Sequence, residues 1–304
     1  MAVSPPMAFT ERAEQLRDEI NQALATQLRF SDNCPAPLAE AVRYATLGPG
    51  KRLRPMLVLL ASESCGGSVA RALPAAVAIE MVHAYSLIHD DLPAMDDDDL
   101  RRGRPTCHRA FDEATAILAG DALLSRAFEL IATQLGPADV AVACLSILAQ
   151  AAGAEGMVGG QMQDLLATAT DEESENAHCE QRLESMHRCK TGALFVAALR
   201  MGGLVASASA EELAALTAYG ENVGLAFQIV DDLLDVGGSE DQMGKRVQKD
   251  DSQGKLTFPG VVGVAESKAR VAALIQQGCD ALGPLGSRAD CLRELAAYLG
   301  ERNS

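Results

Sequence analysis

Tryptophan is absent from the 304 residues, and Phe, Tyr and Trp together make up 4% of them. A chain so poor in rings offers no aromatic platform on which unpaired bases could stack. Basic residues are scarce as well: 26 Lys and Arg stand against 42 Asp and Glu, for a formal charge of −16. Such a charge repels phosphate backbones, so no nucleic-acid partner is expected, and any bound phosphate must be met by a local basic cluster or a metal. There is no run of about 18 uninterrupted apolar residues, and even the Ala-rich stretch from Ala72 is broken at Glu80, so no membrane partner is expected either. Met1 to Thr10 carries two prolines and lacks a basic start leading into an apolar core. It does not read as a signal peptide, and the expected location is cytoplasmic. The eight cysteines include no C-x-x-C pair, which favours reduced thiols over a disulfide framework. His178, Cys179, His187 and Cys189 lie close in sequence but match the spacing of no standard zinc finger.

What is present is helical. With 48% hydrophobic and 22% charged residues the chain has the composition of a folded globular protein, long enough to bury a large core. Glu11–Arg29, Leu53–Ser64, Ala75–His89, Ala114–Leu135, Ala138–Ala152, Leu194–Gly202, Glu211–Leu234 and Lys268–Leu282 are rich in Ala, Leu, Glu and Gln, with apolar residues at i, i+3, i+4 and i+7. Gly-Pro pairs at Gly48, Gly136 and Gly283 separate them, and no run shows the alternation of a strand. These features predict one all-α domain over residues 1–304, with about ten helices. Several segments are apolar almost all round, as suits central helices packed on every side.

Two acidic groups interrupt that pattern. Asp90, Asp91, Asp96, Asp97, Asp98 and Asp99 place six carboxylates in ten residues. Alone they would read as a solvated loop. Asp231, Asp232 and Asp235, however, interrupt an apolar helix, and with Gln228 they fall at i, i+3, i+4 and i+7 along one stripe. Like charges on one helix face repel, more so when partly buried, so the stripe calls for a cation. Oxygen-only ligands favour Mg²⁺, which keeps waters and shares itself with substrate phosphates. An EF-hand is disfavoured because Asp90–Leu100 lacks its ligand order and closing Glu.

Basic residues stand beside these carboxylates. Lys51 and Arg54, in Gly50-Lys51-Arg52-Leu53-Arg54-Pro55, lie about one turn apart near a helix N-terminus, which favours an anion. Arg101-Arg102-Gly103 follows the first acidic group, and Lys190-Thr191-Gly192, Gly244-Lys245 and Gly254-Lys255 put further donors next to glycines.

His89-Asp90-Asp91-Leu92-Pro93-Ala94-Met95-Asp96 resembles the first aspartate-rich motif of the trans-isoprenyl diphosphate synthases, in the spacing of the bacterial farnesyl diphosphate synthases. Gln228-Ile229-Val230-Asp231-Asp232-Leu233-Leu234-Asp235 resembles their second motif, and the basic motifs occur in the family's order from about Leu16 to Leu299. The resemblance implies the isoprenoid synthase fold around a central cavity and a head-to-tail condensation of an allylic diphosphate with isopentenyl diphosphate. It implies Asp90, Asp91, Asp96, Asp231 and Asp235 as ligands of Mg²⁺, about three ions with the allylic substrate bound. It implies Lys51, Arg54, His83 and Arg102 for isopentenyl diphosphate, and Arg101, Lys190, Lys245 and Lys255 for the allylic diphosphate. Thr191 and Gln228 would line the reacting end, with Lys190 and Arg101 also catalytic, and a homodimer is implied.

Product length should be set before Asp90. Tyr85 lies about 7.5 Å and Ser86 about 6 Å down the helix axis. The helical wheel favours Ser86 as the lining residue, since it is about 40° from Asp90 against about 140° for Tyr85. The family pattern instead treats an aromatic at the Tyr85 position as the stop, which implies farnesyl diphosphate (C15), with geranylgeranyl diphosphate (C20) as the rival. A terpene cyclase or head-to-head synthase would not need the Lys51–Arg54 motif. A non-catalytic regulatory subunit would be expected to lose an acidic motif, and both are retained.

Overall fold

The computed structural model describes residues 7–167, 176–237 and 256–301; Lys245 and Lys255 lie outside them. Among the described residues the chain forms fourteen α-helices, more than the sequence pattern predicts. They are α1 (Met7–Gln27), α2 (Ala36–Thr46), α3 (Leu53–Ser64), α4 (Val69–Asp90), α5 (Cys107–Ala110), α6 (Glu113–Gln134), α7 (Ala138–Ala152), α8 (Met157–Ala167), α9 (Asn176–His187), α10 (Ala193–Val205), α11 (Ala210–Gly237), α12 (Phe258–Val262), α13 (Val264–Ala281) and α14 (Asp290–Glu301). A π-helical turn, Arg188–Gly192, joins α9 to α10, and a 3₁₀ segment, Gly283–Ala289, joins α13 to α14.

Local chemistry sets several of these boundaries. Pro55 sits in the first turn of α3, where its missing N–H is no loss. Asp112 caps α6, its carboxylate accepting from Thr115 N (2.9 Å) and Thr115 Oγ1 (2.7 Å). At the start of α11, Ser209 N donates to Glu212 Oε2 (2.9 Å) and Glu212 N to Ser209 Oγ (3.2 Å), a reciprocal capping box.

Helix α4 is the axis of the core. From Ala72 to Ile88 it is buried on nearly every side, packed against α3, α6 and α10. Its length and composition would suffice to cross a membrane, but 72% of that stretch is buried inside the fold; the second such stretch, Ala138–Leu166, is 39% buried and spans α7 and α8.

The expectation of no strand is corrected at one place. Leu100–Arg101 (β1) and Arg104–Pro105 (β2) pair antiparallel, Leu100 opposite Pro105 and Arg101 opposite Arg104. The two residues between them, Arg102 (φ 53°) and Gly103 (φ 73°), are both left-handed. That is the backbone of a tight hairpin turn whose twist matches the strands. Two-residue strands are too short to leave an alternation in the sequence.

Candidate active site

The first acidic group does not act as a single cluster. The chain folds back after α4, with Asp96 N donating to Asp90 O (2.8 Å) and Asp98 N to Asp91 O (3.2 Å). Asp90 and Asp96 are thereby placed together at the end of α4, while Asp97 and Asp99 are exposed and Asp99 pairs with Arg109 at 2.7 Å. Burial raises the Asp90 carboxyl to about 6; Lys190 opposes the rise and Asp96 adds to it. Asp91, expected with Asp90 and Asp96 among the metal ligands, is engaged by an arginine. It is 2% exposed, and both its oxygens accept from Arg101, Nε at 2.9 Å and Nη2 at 2.6 Å. The physical reason is the hairpin, which turns Arg101 back onto the end of α4.

Arg102, the next residue, leaves in another direction, and its Nη1 donates to Pro49 O (2.7 Å). The approach needs Gly50, because a Cβ there would lie 2.4 Å from Arg102 Nη1. This brings Arg102 to the entry of α3, the segment that carries Lys51 and Arg54. Arg54 Nη1 lies 3.3 Å from His83 Nε2, and its guanidinium sits 5.4 Å above the Phe195 ring. Since arginine has no acceptor, His83 Nε2 accepts and the neutral ring carries its proton on Nδ1. Burial, reinforced by Arg54, Arg102, Arg101 and Arg52, holds His83 well below the usual histidine range. Burial likewise lowers Arg54 to about 10, against the pull of Glu80 and Asp231. A pocket lined by His83, Arg52, Glu80, Arg101, Arg102 and Arg104 opens here. Lys51 is exposed beside it.

The π-helical turn supplies the third group. Such turns shift the helix register by one residue and recur at functional sites. Lys190 Nζ bonds Asp164 Oδ2 of α8 at 2.6 Å. One turn earlier on α8, Gly160 lets the backbones meet, since a Cβ there would lie 2.2 Å from Lys190 N. Thr191 Oγ1 donates to Gln228 Oε1 (2.8 Å).

The second acidic stripe also divides. Asp232 is buried, and three donors converge on it: Gln228 Nε2 (3.3 Å), His187 Nε2 (3.3 Å) and Phe258 N (3.0 Å). The His187 ring stacks on Phe258 with centroids 5.7 Å apart. Asp232 is therefore a junction between α9, α11 and α12, while Asp231 is half-buried on the side that reaches Arg54, and Asp235 is buried one turn on.

Four elements thus meet. The end of α4 is linked by charge to Lys190, Thr191 is bonded to Gln228 on α11, and Asp231 of α11 lies within the field of Arg54 on α3. Among the described residues no three His, Cys, Asp or Glu converge into a chelate made by the protein alone. Carboxylates split between two helices, with Asp90 raised by burial, fit a hard cation that takes its remaining ligands from a diphosphate and water. Tyr85 is buried against His89, edge to face at 5.7 Å, and His89 Nε2 bonds Ile117 O of α6 (3.1 Å). Ser86 Oγ donates to His83 O (2.9 Å).

Sequence reasoning missed Asp164 and Gln161. Gln161 is 9% exposed, and both its side-chain amide atoms are buried without a hydrogen-bond partner among the described residues. The available signal was Gly159-Gly160-Gln161-Met162-Gln163-Asp164, a polar and glycine-rich interruption of an otherwise apolar stretch.

Known proteins share much of this sequence and its fold. Residues 35–282 match the polyprenyl synthetase family. The chain is 43% identical to a farnesyl diphosphate synthase of Haemophilus influenzae over 97% of its own length and 99% of that protein. It is also 43% identical to geranylgeranyl pyrophosphate synthase 7, chloroplastic, of Arabidopsis thaliana, over 97% and 84% of the two chains. The crystal structure of a FPP/GFPP synthase from Zymomonas mobilis superposes with a TM-score of 0.85 at 37% identity, covering 96% of this chain and 99% of that one. The chain therefore belongs to the polyprenyl synthetase family and is a prenyltransferase.

Proposed function

We propose that the protein condenses dimethylallyl or geranyl diphosphate with isopentenyl diphosphate to form farnesyl diphosphate. The observation that carries this reading is the placement of two distinct anion-binding groups around one acidic centre: Arg54, Arg102 and exposed Lys51 with neutral His83 on one side, Lys190 with Thr191 and Gln228 on the other. A condensation of two diphosphates needs two anion sites that share one reacting end.

In this reading the allylic C1–O bond breaks and its electron pair leaves with the diphosphate. The isopentenyl double bond then attacks C1, and the proton lost next to the new bond passes to the departing diphosphate. Lys190, with Lys245 and Lys255, steadies the charge that develops on the leaving oxygens. Mg²⁺ held by Asp90, Asp96, Asp231 and Asp235, about three ions in all, would supply further positive charge against those oxygens. Asp91 serves by aiming Arg101. Thr191 Oγ1 and Gln228 Oε1 present oxygen toward the cationic carbon, while Phe195 and Phe227, tilted against each other with centroids 5.3 Å apart, keep the surroundings apolar. His83 Nδ1–H is a neutral donor beside the isopentenyl diphosphate.

The second reading, a C20 product, is favoured by the similarity to geranylgeranyl pyrophosphate synthase 7. Buried Tyr85, pinned by His89, supports C15. A homodimer accompanies the proposal. Ile117 and Leu118 on α6, Val142 on α7, and Val158, Met162 and Leu166 on α8 are exposed apolar residues suited to a symmetric contact. A cytoplasmic location also accompanies it. The test is incubation with Mg²⁺, labelled isopentenyl diphosphate and each primer, followed by separation of the dephosphorylated alcohols. C15 from both primers is expected. C20 would transfer the assignment to the second reading, and no product with any primer would overturn both in favour of a regulatory subunit.

A further inference from the structure

In the run Lys51-Arg52-Leu53-Arg54 the middle base faces inward. Arg52 is 6% exposed, and its guanidinium is spent on three separate segments: Nε on Asn21 Oδ1 of α1 (2.9 Å), Nη1 on Glu80 Oε1 of α4 (2.8 Å) and Nη2 on Gly48 O (2.8 Å). Its backbone is left-handed, φ 51°, at the residue that opens α3. A non-glycine residue adopts that conformation when surrounding contacts enforce it, and here the side chain supplies the contacts. The left-handed step leaves Lys51 exposed and sends Arg54 along α3 to His83. Glu80 and His83 are three residues apart on one face of α4. The start of α3 is therefore held to α4 by two rungs, Arg52–Glu80 and Arg54–His83.

We propose that Arg52 and Glu80 are positioning residues for the isopentenyl diphosphate site: Arg52 fixes the turn that presents Lys51 and Arg54, and Glu80 is the counter-charge that keeps Arg52 inside the fold. The proposal rests on the assignment of Lys51 and Arg54 to that substrate. It has a distinctive consequence. Glu80 already acts electrostatically on Arg54 and Arg102. If Arg52 is removed, Glu80 becomes an unpaired buried carboxylate that competes with the diphosphate for those two guanidiniums.

The test is steady-state kinetics on the full chain, with each substrate varied in turn. Arg52→Met is expected to raise the KM for isopentenyl diphosphate by about tenfold, while the KM for geranyl diphosphate stays within about twofold. Adding Glu80→Gln removes the competing charge and is expected to bring the isopentenyl KM back to within about threefold of the parent, a recovery that a merely structural pair would not give. Asn21→Ala, which takes one acceptor from Arg52 and leaves the ion pair, is expected to raise the same KM by about threefold, and it decides the matter if Arg52→Met does not fold. An unchanged isopentenyl KM in folded Arg52→Met or Asn21→Ala, equal rises for both substrates, or no recovery in the double variant overturns the proposal. Lys51→Ala and Arg54→Ala run alongside. If both leave the isopentenyl KM unchanged, the underlying assignment fails and the proposal with it; if they raise it and Arg52→Met does not, the proposal alone fails.

Discussion

Gly160→Ala should disable the reaction through one methyl group. The added Cβ would lie 2.2 Å from Lys190 N, 2.6 Å from Lys190 Cα and 2.8 Å from Lys190 Cβ. Ordinary contact begins at 3.4 Å, so α8 and the π-helical turn must part by 3.4 − 2.2 = 1.2 Å. The first neighbour is backbone and cannot swing aside. Overpacking of this kind costs about 1–3 kcal/mol, a fall of a few degrees in melting midpoint. The kinetic effect should be larger. A displacement of about 1 Å in groups that orient a reaction costs on the order of 100-fold, and Lys190 and Thr191 ride on the displaced turn. The assay is kcat at saturating concentrations of both diphosphates, with the folded fraction followed by circular dichroism. Gly283→Ala, where a Cβ meets nothing within 4 Å, is the control and should match the parent. A Gly160→Ala enzyme with parental kcat, or one whose lost activity equals its unfolded fraction, would refute the reasoning.

Three further outcomes are expected. His83 is held neutral, well below the usual range, by burial and by Arg54, Arg102, Arg101 and Arg52, so below its unfolded value of 6.5 the unfolded chain binds a proton that the folded chain refuses. Stability should be full above that pH and fall as pH drops toward the folded value, by at most about 1.4 kcal/mol per pH unit; chemical denaturation of His83→Asn from pH 8 to 5 should lack this component, and parallel profiles would contradict it. Gln161→Met replaces a buried amide that has no partner among the described residues and should stabilise the protein by about 1 kcal/mol in denaturant titration while lowering kcat; a loss of stability would mean that the amide is satisfied in the folded chain. Tyr85→Ala should shift the product from C15 toward C20 and beyond on chain-length separation, and unchanged C15 output would remove Tyr85 as the floor.

Much of the fold was legible because its signals are local. Pro55 and the apolar face after it delimit α3, and α7 ends at Gly153 as its sequence implies. Helix α14 was legible too, through Leu292, Leu295, Ala296 and Leu299 at i, i+3, i+4 and i+7, although the predicted helices stop at Leu282. What stayed hidden was tertiary. Asp231, Asp232 and Asp235 look equivalent on a helical wheel, yet Asp232 is committed to Phe258 N, 26 residues onward, and to His187, 45 residues back. Asp90 and Asp91 are likewise neighbours with different fates, decided by where the hairpin returns Arg101. The hairpin itself gave little warning, since arginine is an uncommon choice where both central residues must be left-handed.

The hairpin assigns addresses by counting. Arg101 ends β1 and Arg102 opens the turn, so a single peptide step delivers the two side chains to different places, one to the end of α4 and one to the entry of α3. A two-residue turn leaves no slack in that count. Inserting one uncharged residue between Leu100 and Arg101 would keep every charge of the motif, yet change which side chain returns to the end of α4. Anyone grafting this loop between members of the family should conserve its length before its residues.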